Sequence, residues 1–276
     1  MINSDTLAAV IPCVENISNV WTRLIDIAQA LPQITIHVIY MGNEPSDQFK
    51  GQNKQIYWHL SKLRSASNAR NYGASVVTAP FVIFLDSDNI IMPSSNATLI
   101  KLDQAITQNP DLIILQRAEV DRKIVSVHPT KYNFSLHCIE WNCIWRREHF
   151  LNLGGFDERF GPGSPTMAQT GEAFSLCFKH FAIKNTHTIY LPDIKVNHPS
   201  LNNSHKSPQR QFQYAYGSHY AAFEPFLRSP SRLALFWFLR TLAGFGKDIR
   251  QAPLSFRARA LALYDVVFGH QPRAKS

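Results

Sequence analysis

The chain has 276 residues, 45% hydrophobic and 17% charged, which suits one large globular domain or a domain with an appendage and excludes a disordered or fibrous protein. Its formal charge of +8 is uneven: from Arg228 onward nine Lys/Arg stand against two Asp/Glu, so the body is nearly neutral and the tail basic. No run of 18 apolar residues occurs, and the nearest stretch, 233–245, carries Arg240, so no membrane-spanning helix is expected.

In chain order, residues 7–13 form a short apolar strand. Val20, Leu24, Ile27 and Leu31 draw a helical stripe over 18–31, with Ser18 as N-cap and Pro32 as stop. Strands are expected at 34–41 and 55–60, a helix at 66–79, and a strand buried on both faces at 81–85. A helix over 95–108 and a strand at 112–115 complete a β-α-β-α rhythm, which argues for an α/β domain with a mostly parallel central sheet. In such sheets ligands sit beyond the carboxyl ends of the strands. Further on, 154–170 is rich in Gly, Pro, Ser and Thr and reads as a long functional loop. Helices follow at 172–182, 208–223, 231–249 and 255–268, with an extended segment at 189–196 broken by Pro192.

Cys13, Cys138, Cys143 and Cys177 form neither a CxxC pair nor a zinc-type spacing. The polar residues 1–6 do not read as a secretory signal. Four reduced core thiols and a cytoplasmic location are therefore expected.

The chemistry concentrates at Asp86-Ser87-Asp88, directly after the buried strand. Two carboxylates one residue apart at a strand end can face one cleft, and hard oxygen donors suit Mn²⁺ or Mg²⁺. Alone, such a triplet also occurs in ordinary solvated turns. Here it is preceded by Ala69-Arg70-Asn71-Tyr72-Gly73 and by Phe84-Leu85. With that order and spacing the sequence resembles the family 2 glycosyltransferases of GT-A fold. Val10-Ile11-Pro12 is similar to their first-strand motif, and 154–160 (GGFDERF) to the segment before the acceptor side. Gly171-Glu172 is similar to the start of their acidic motif, and His198 to the histidine that completes the metal site.

The resemblance covers about residues 7–220 and implies a GT-A-like three-layer sandwich over 1–222, followed by a basic amphipathic helical extension over 223–276. It implies an inverting enzyme that moves a sugar from a nucleotide-sugar donor to a glycan or lipid-linked glycan acceptor in surface polysaccharide synthesis. Asp86, Asp88 and His198 would hold the metal. Pro12, Arg70, Asp86 and Ser87 would bind the donor, with Arg70 at the diphosphate. Glu172 would be the general base, or otherwise a helix N-terminal carboxylate. His128, His137 and His205 compete with His198. Trp141 and Trp145 are either a wall for sugar stacking or core.

The chain departs from the family pattern twice. Gly42 stands where an Asp usually reads a uracil base, and Ala173 follows Glu172 where a second acidic residue is common. The alternative reading is a catalytically inactive donor-binding partner of an assembly complex.

The tail interleaves Trp237, Phe238, Leu242 and Phe245 with Arg232, Arg240, Lys247 and Arg250. It either lies on an anionic membrane surface or packs on the catalytic domain or a second subunit, as in a homodimer. No nucleic-acid module is recognised.

Overall fold

The computed structural model describes residues 6–14, 17–42, 52–92, 96–118, 127–197, 207–246 and 252–274. Eight strands form one sheet in the order β3-β2-β1-β4-β7-β6-β8-β5. They are β1 (Leu7–Cys13), β2 (Thr35–Tyr40), β3 (Ile56–Leu60), β4 (Phe81–Phe84), β5 (Ile90–Met92), β6 (Leu112–Ala118), β7 (Cys143–Arg146) and β8 (Thr188–Asn197). β1 pairs in parallel with β2 and β4, β2 with β3, and β6 with β8. The expected mostly parallel sheet is present, with two departures: β7 runs antiparallel between β4 and β6, and the edge strand β5 runs antiparallel to β8.

Side chains alternate across the sheet with the two-residue period of a strand. Leu7, Ala9, Ile11 and Cys13 of β1 face α1 (Ile17–Ala30) and α3 (Asn96–Thr107), where Val20, Leu24, Ile27 and Leu102 close the core. Ala8 and Val10 face the other way, toward α2 (Ala66–Val76), α4 (Arg147–Asn152) and α5 (Glu172–Ala182). The result is the expected three-layer α/β sandwich. Trp145 and Trp141, 1% and 3% exposed, lie in these two cores on opposite faces. Both are core residues, and the stacking-wall alternative is corrected: with so little surface left, neither ring can present a face to a sugar.

Local boundaries shift for identifiable reasons. Ser18 falls inside α1 and is not its cap. Pro192 is accommodated within β8 at a register shift, where Leu115 pairs with Leu191 but Gln116 with Lys195. A bulge frees the proline from the ladder hydrogen bond that it cannot donate.

The C-terminal helices are α6 (Pro208–Arg228), α7 (Arg232–Ala243) and α8 (Pro253–Val267). α6 runs through residue 222 without a break. Leu233, Ala234 and Trp237 of α7 join the core beside Trp145. α6 and α8 enclose a third cluster with Phe160 and Ala168. There the buried Asp265 accepts from Tyr216 Oη at 2.9 Å and from Arg273 Nε at 2.9 Å. Among the described residues no helix is long and apolar enough to cross a membrane.

Candidate active site

The site lies beyond the carboxyl ends of β1 and β4. Four elements deliver its side chains. The first is α2, which Ser65 caps by accepting from Asn68 N through its side chain. α2 comes close to the sheet at Gly73, where a Cβ would fall 2.2 Å from Val10 Cγ1. This is a steric reason for the glycine, and it seats Arg70, one turn earlier, at 1% exposure over the end of β4.

The second element is the turn after β4. Leu85 N donates to Val10 O, and Asn89 closes the turn: its side-chain Oδ1 accepts from Asp86 N at 2.6 Å, and its N–H donates to Asp86 O. Asp86 and Asp88 are half-buried in this turn, with the more buried Ser87 between them. Pro12, near the end of β1 opposite Ile39, is also half-buried.

The third element was not anticipated. Because β7 is antiparallel, it begins at the end of the sheet where β4 finishes, with Ile83 opposite Ile144. The short 3-10 turn Glu140–Asn142 before it therefore arrives at the site. Asn142 fastens that turn, donating through Nδ2 to Leu115 O and His137 O and accepting through Oδ1 from Ile139 N.

The fourth element is the 154–170 loop that leads into α5. Asn71 pairs with the backbone of Phe156 in both directions, at 2.8 and 2.9 Å. Ser67 Oγ donates to Phe160 O, and Ala66 N to Pro162 O. Gly161 has φ +95°, and a Cβ there would come within 2.7 Å of Ser67 Oγ and 3.1 Å of Glu172 Oε1. A side chain at this position would both strain the backbone and displace Glu172.

These elements bring three carboxylates around one guanidinium. Arg70 Nη2 lies 2.7 Å from Asp86 Oδ1 and 3.7 Å from Glu140 Oε1, and Nη1 lies 3.6 Å from Glu172 Oε1. Its plane sits over the Phe156 ring, 5.7 Å from the centroid. Burial holds Glu172 toward its protonated form, and neighbouring Glu140 adds to this; Arg70 opposes them, and the balance leaves the carboxyl at about 8. Burial pushes Glu140 up as well. Arg70 Nε and Nη1 and Glu172 Oε2 are buried without a hydrogen-bond partner.

Asp86, Glu140 and Glu172 are thus gathered on Arg70, while Asp88 and Ser87 share the adjoining turn. The structure places Arg70 behind the acids, in contact with them. His198 and His205 lie outside the described residues, as do the acidic residues after Gly42, Glu44 and Asp47. Asn197, which precedes His198, pairs with Ile90 two residues past Asp88. His128 and His137 both meet the Tyr190 ring edge-on at 5.5 Å.

A mixed, mostly parallel sheet between two helical layers, with further helices at the C-terminus, is the fold of the GT-A glycosyltransferases. The profile described as Glycosyl transferase family 2 matches residues 9–169, more than half of the chain, and the chain belongs to that family. It is a glycosyltransferase. The fold is similar to a crystal structure of S. aureus TarS 1–349, at 12% identity and TM-score 0.53, covering 96% of this chain and 92% of that one. The same fragment in complex with UDP-GlcNAc matches at 12% identity and TM-score 0.50, with the same coverage. A longer TarS structure matches at 13% identity and TM-score 0.54, covering 94% of this chain and 55% of that one. No curated protein sequence matches the chain.

Proposed function

We propose that this glycosyltransferase moves a sugar from a nucleotide-sugar donor to a hydroxyl of a carbohydrate acceptor, inverting the anomeric carbon, in the synthesis of a surface polysaccharide. The observation that carries the reading is the convergence of Asp86, Glu140 and Glu172 on the buried Arg70 in a chain of this family. The likeness to TarS, crystallised with UDP-GlcNAc and with UDP, favours a UDP-linked donor. Because Gly42 replaces the usual Asp, other residues of this chain would have to recognise the base.

Asp86 and Asp88 offer the oxygen donors that Mn²⁺ or Mg²⁺ takes, and His198, which follows the strand paired beside their turn, would complete the set. When bound, the ion neutralises charge on the departing diphosphate. Pro12 and Ser87 border the donor. Arg70 fixes the orientation of Asp86 and Glu172 and balances part of their charge, a positioning role that its burial supports better than direct contact with phosphate. Glu172 takes the proton of the attacking hydroxyl. A carboxyl poised at about 8 is a stronger base than an ordinary one and is still partly ionised near neutrality. Glu140 shares the negative field that raises it.

A second reading is supported by Ala173, which lies where family members commonly carry another acid: a catalytically inactive donor-binding partner. A panel of UDP-, GDP-, dTDP- and CMP-sugars separates the two, scored for nucleotide release and for binding with and without Mn²⁺ or Mg²⁺, with lipid-linked glycans as acceptors. Metal-dependent release from one donor supports the transferase. Metal-dependent binding without release under any acceptor supports the inactive partner. No binding of any donor contradicts both.

A further inference from the structure

Three of the four cysteines meet at one point. Cys138 lies between two 3-10 turns, Cys143 opens β7 and Cys177 sits in the middle of α5, yet their sulfurs all lie within 4.8 Å of one another. Each of the three residues is at most 6% exposed, and all are free thiols. Cys13 is in the core on the opposite face of the sheet.

A single buried thiol is a small hydrophobe and needs no explanation. Three sulfurs converging from separate elements are a donor set. Around one ion at about 2.3 Å, thiolate sulfurs stand roughly 3.8–4.0 Å apart, so the three need little movement to share a ligand. Among the described residues no carboxylate or imidazole joins the group at that distance. An all-sulfur set selects soft cations and disfavours Mg²⁺ and Mn²⁺.

We propose that Cys138, Cys143 and Cys177 form a zinc site, separate from the oxygen donors at Asp86 and Asp88 and independent of the sugar-transfer reading. Each thiol gives its proton to solvent as its bond to the metal forms, no electron is exchanged, three thiolates with Zn²⁺ carry one net negative charge, and the fourth position of the ion would be held by a water enclosed with it. Cys138 and Cys143 bracket the turn that carries Glu140, and Cys177 lies five residues after Glu172 on α5. The ion ties that turn to the helix that Glu172 opens, and so acts as a clip beneath the active site. Since the site is closed to solvent, the metal enters as the chain folds.

The test is metal content by mass spectrometry of the full chain purified under reducing conditions without chelator, followed by unfolding and refolding with Co²⁺ in place of Zn²⁺. The expected result is one zinc per chain and a strong sulfur-to-cobalt charge-transfer absorption. Both should be lost in the Cys138→Ser/Cys177→Ser double variant and kept in Cys13→Ser. A double core substitution risks unfolding, so circular dichroism is read beside it, and the wild-type cobalt spectrum decides independently. Refolded wild-type protein with native circular dichroism but no sulfur-to-cobalt band overturns the proposal. Recovery of copper in place of zinc, or of a disulfide between any two of the three cysteines, does the same.

Discussion

Arg70 has almost no contact with water, and its guanidinium faces three carboxylates. Removing a buried charge that others depend on costs more than the net worth of the pair, about 3–5 kcal/mol. Arg70→Ala should therefore lower the unfolding free energy read from urea titration by that order and abolish donor binding. Arg70→Lys keeps the charge but not the two-armed geometry, and should retain more of the stability than of the activity. Equal losses in both variants would contradict a positioning role.

Glu172 makes the opposite prediction. Its folded-state carboxyl, raised to about 8 by burial and by Glu140 against the pull of Arg70, holds a proton that the unfolded chain releases near 4.5. Between those values the folded state binds more protons, so this group's contribution falls as pH rises. Glutamine does not titrate. In metal-free protein, Glu172→Gln should gain denaturant resistance relative to wild type as pH goes from 5 to 8; parallel pH dependences would refute the assignment.

At this scale motif and spacing single out Asp86, Asp88, Arg70 and Glu172, and the fold brings Asp86 and Glu172 onto Arg70. Glu140 was not legible. It sits in Ile139-Glu140-Trp141-Asn142, with no pattern of its own, and reaches the site only because the next strand reverses direction.

Among the elements, that reversal is also where the strand reading fell short. Residues 143–146 are too few to show a periodicity, and β-α-β rhythm cannot announce an antiparallel insertion. The parallel half was readable because β1, β2 and β4 alternate or run apolar between helices with clear stops. The contact between α2 and β1 gives an element-scale test. With Gly73 against Val10, Gly73→Ala should cost about 1–3 kcal/mol by overpacking and move Arg70 off the acids. Val10→Ala in the same chain should recover part of the loss. A double variant whose effects simply add would show that the contact is not what fixes α2. The 154–170 segment was legible as a loop, but its closure against α2 through Asn71 and Ser67 depends on side-chain geometry that composition does not encode.

For the molecule as a whole, the basic tail is built into the fold. Trp237 is buried, its indole N–H donates to Lys131 O, and Phe238 packs on Phe223 and Phe226. Beyond α8 the chain returns to the 154–170 loop, where Met167 N donates to Arg273 O. Removing residues 231–276 would therefore open the core and is a poor probe of membrane attachment. Leu235 and Leu239 remain exposed on α7, the helix that also carries the exposed Arg232 and Arg240. If the acceptor is lipid-linked, this is the face that would meet anionic headgroups, each cation adding about 1 kcal/mol near the surface. Arg232→Glu with Arg240→Glu should abolish sedimentation with phosphatidylserine vesicles while leaving transfer to a soluble acceptor intact. Unchanged sedimentation would remove this face from the account.

In the proposed reaction Glu172 takes the acceptor proton while Asp86 and Asp88 hold the metal and donor. The most direct measurement is donor affinity by calorimetry beside turnover, in wild type, Glu172→Gln and Asp88→Ala, with saturating Mn²⁺. Glu172→Gln should bind donor as wild type does and lose about 10²–10⁴-fold in turnover. Asp88→Ala should lose both. Turnover in Glu172→Gln within a few-fold of wild type would place the base elsewhere and contradict the account.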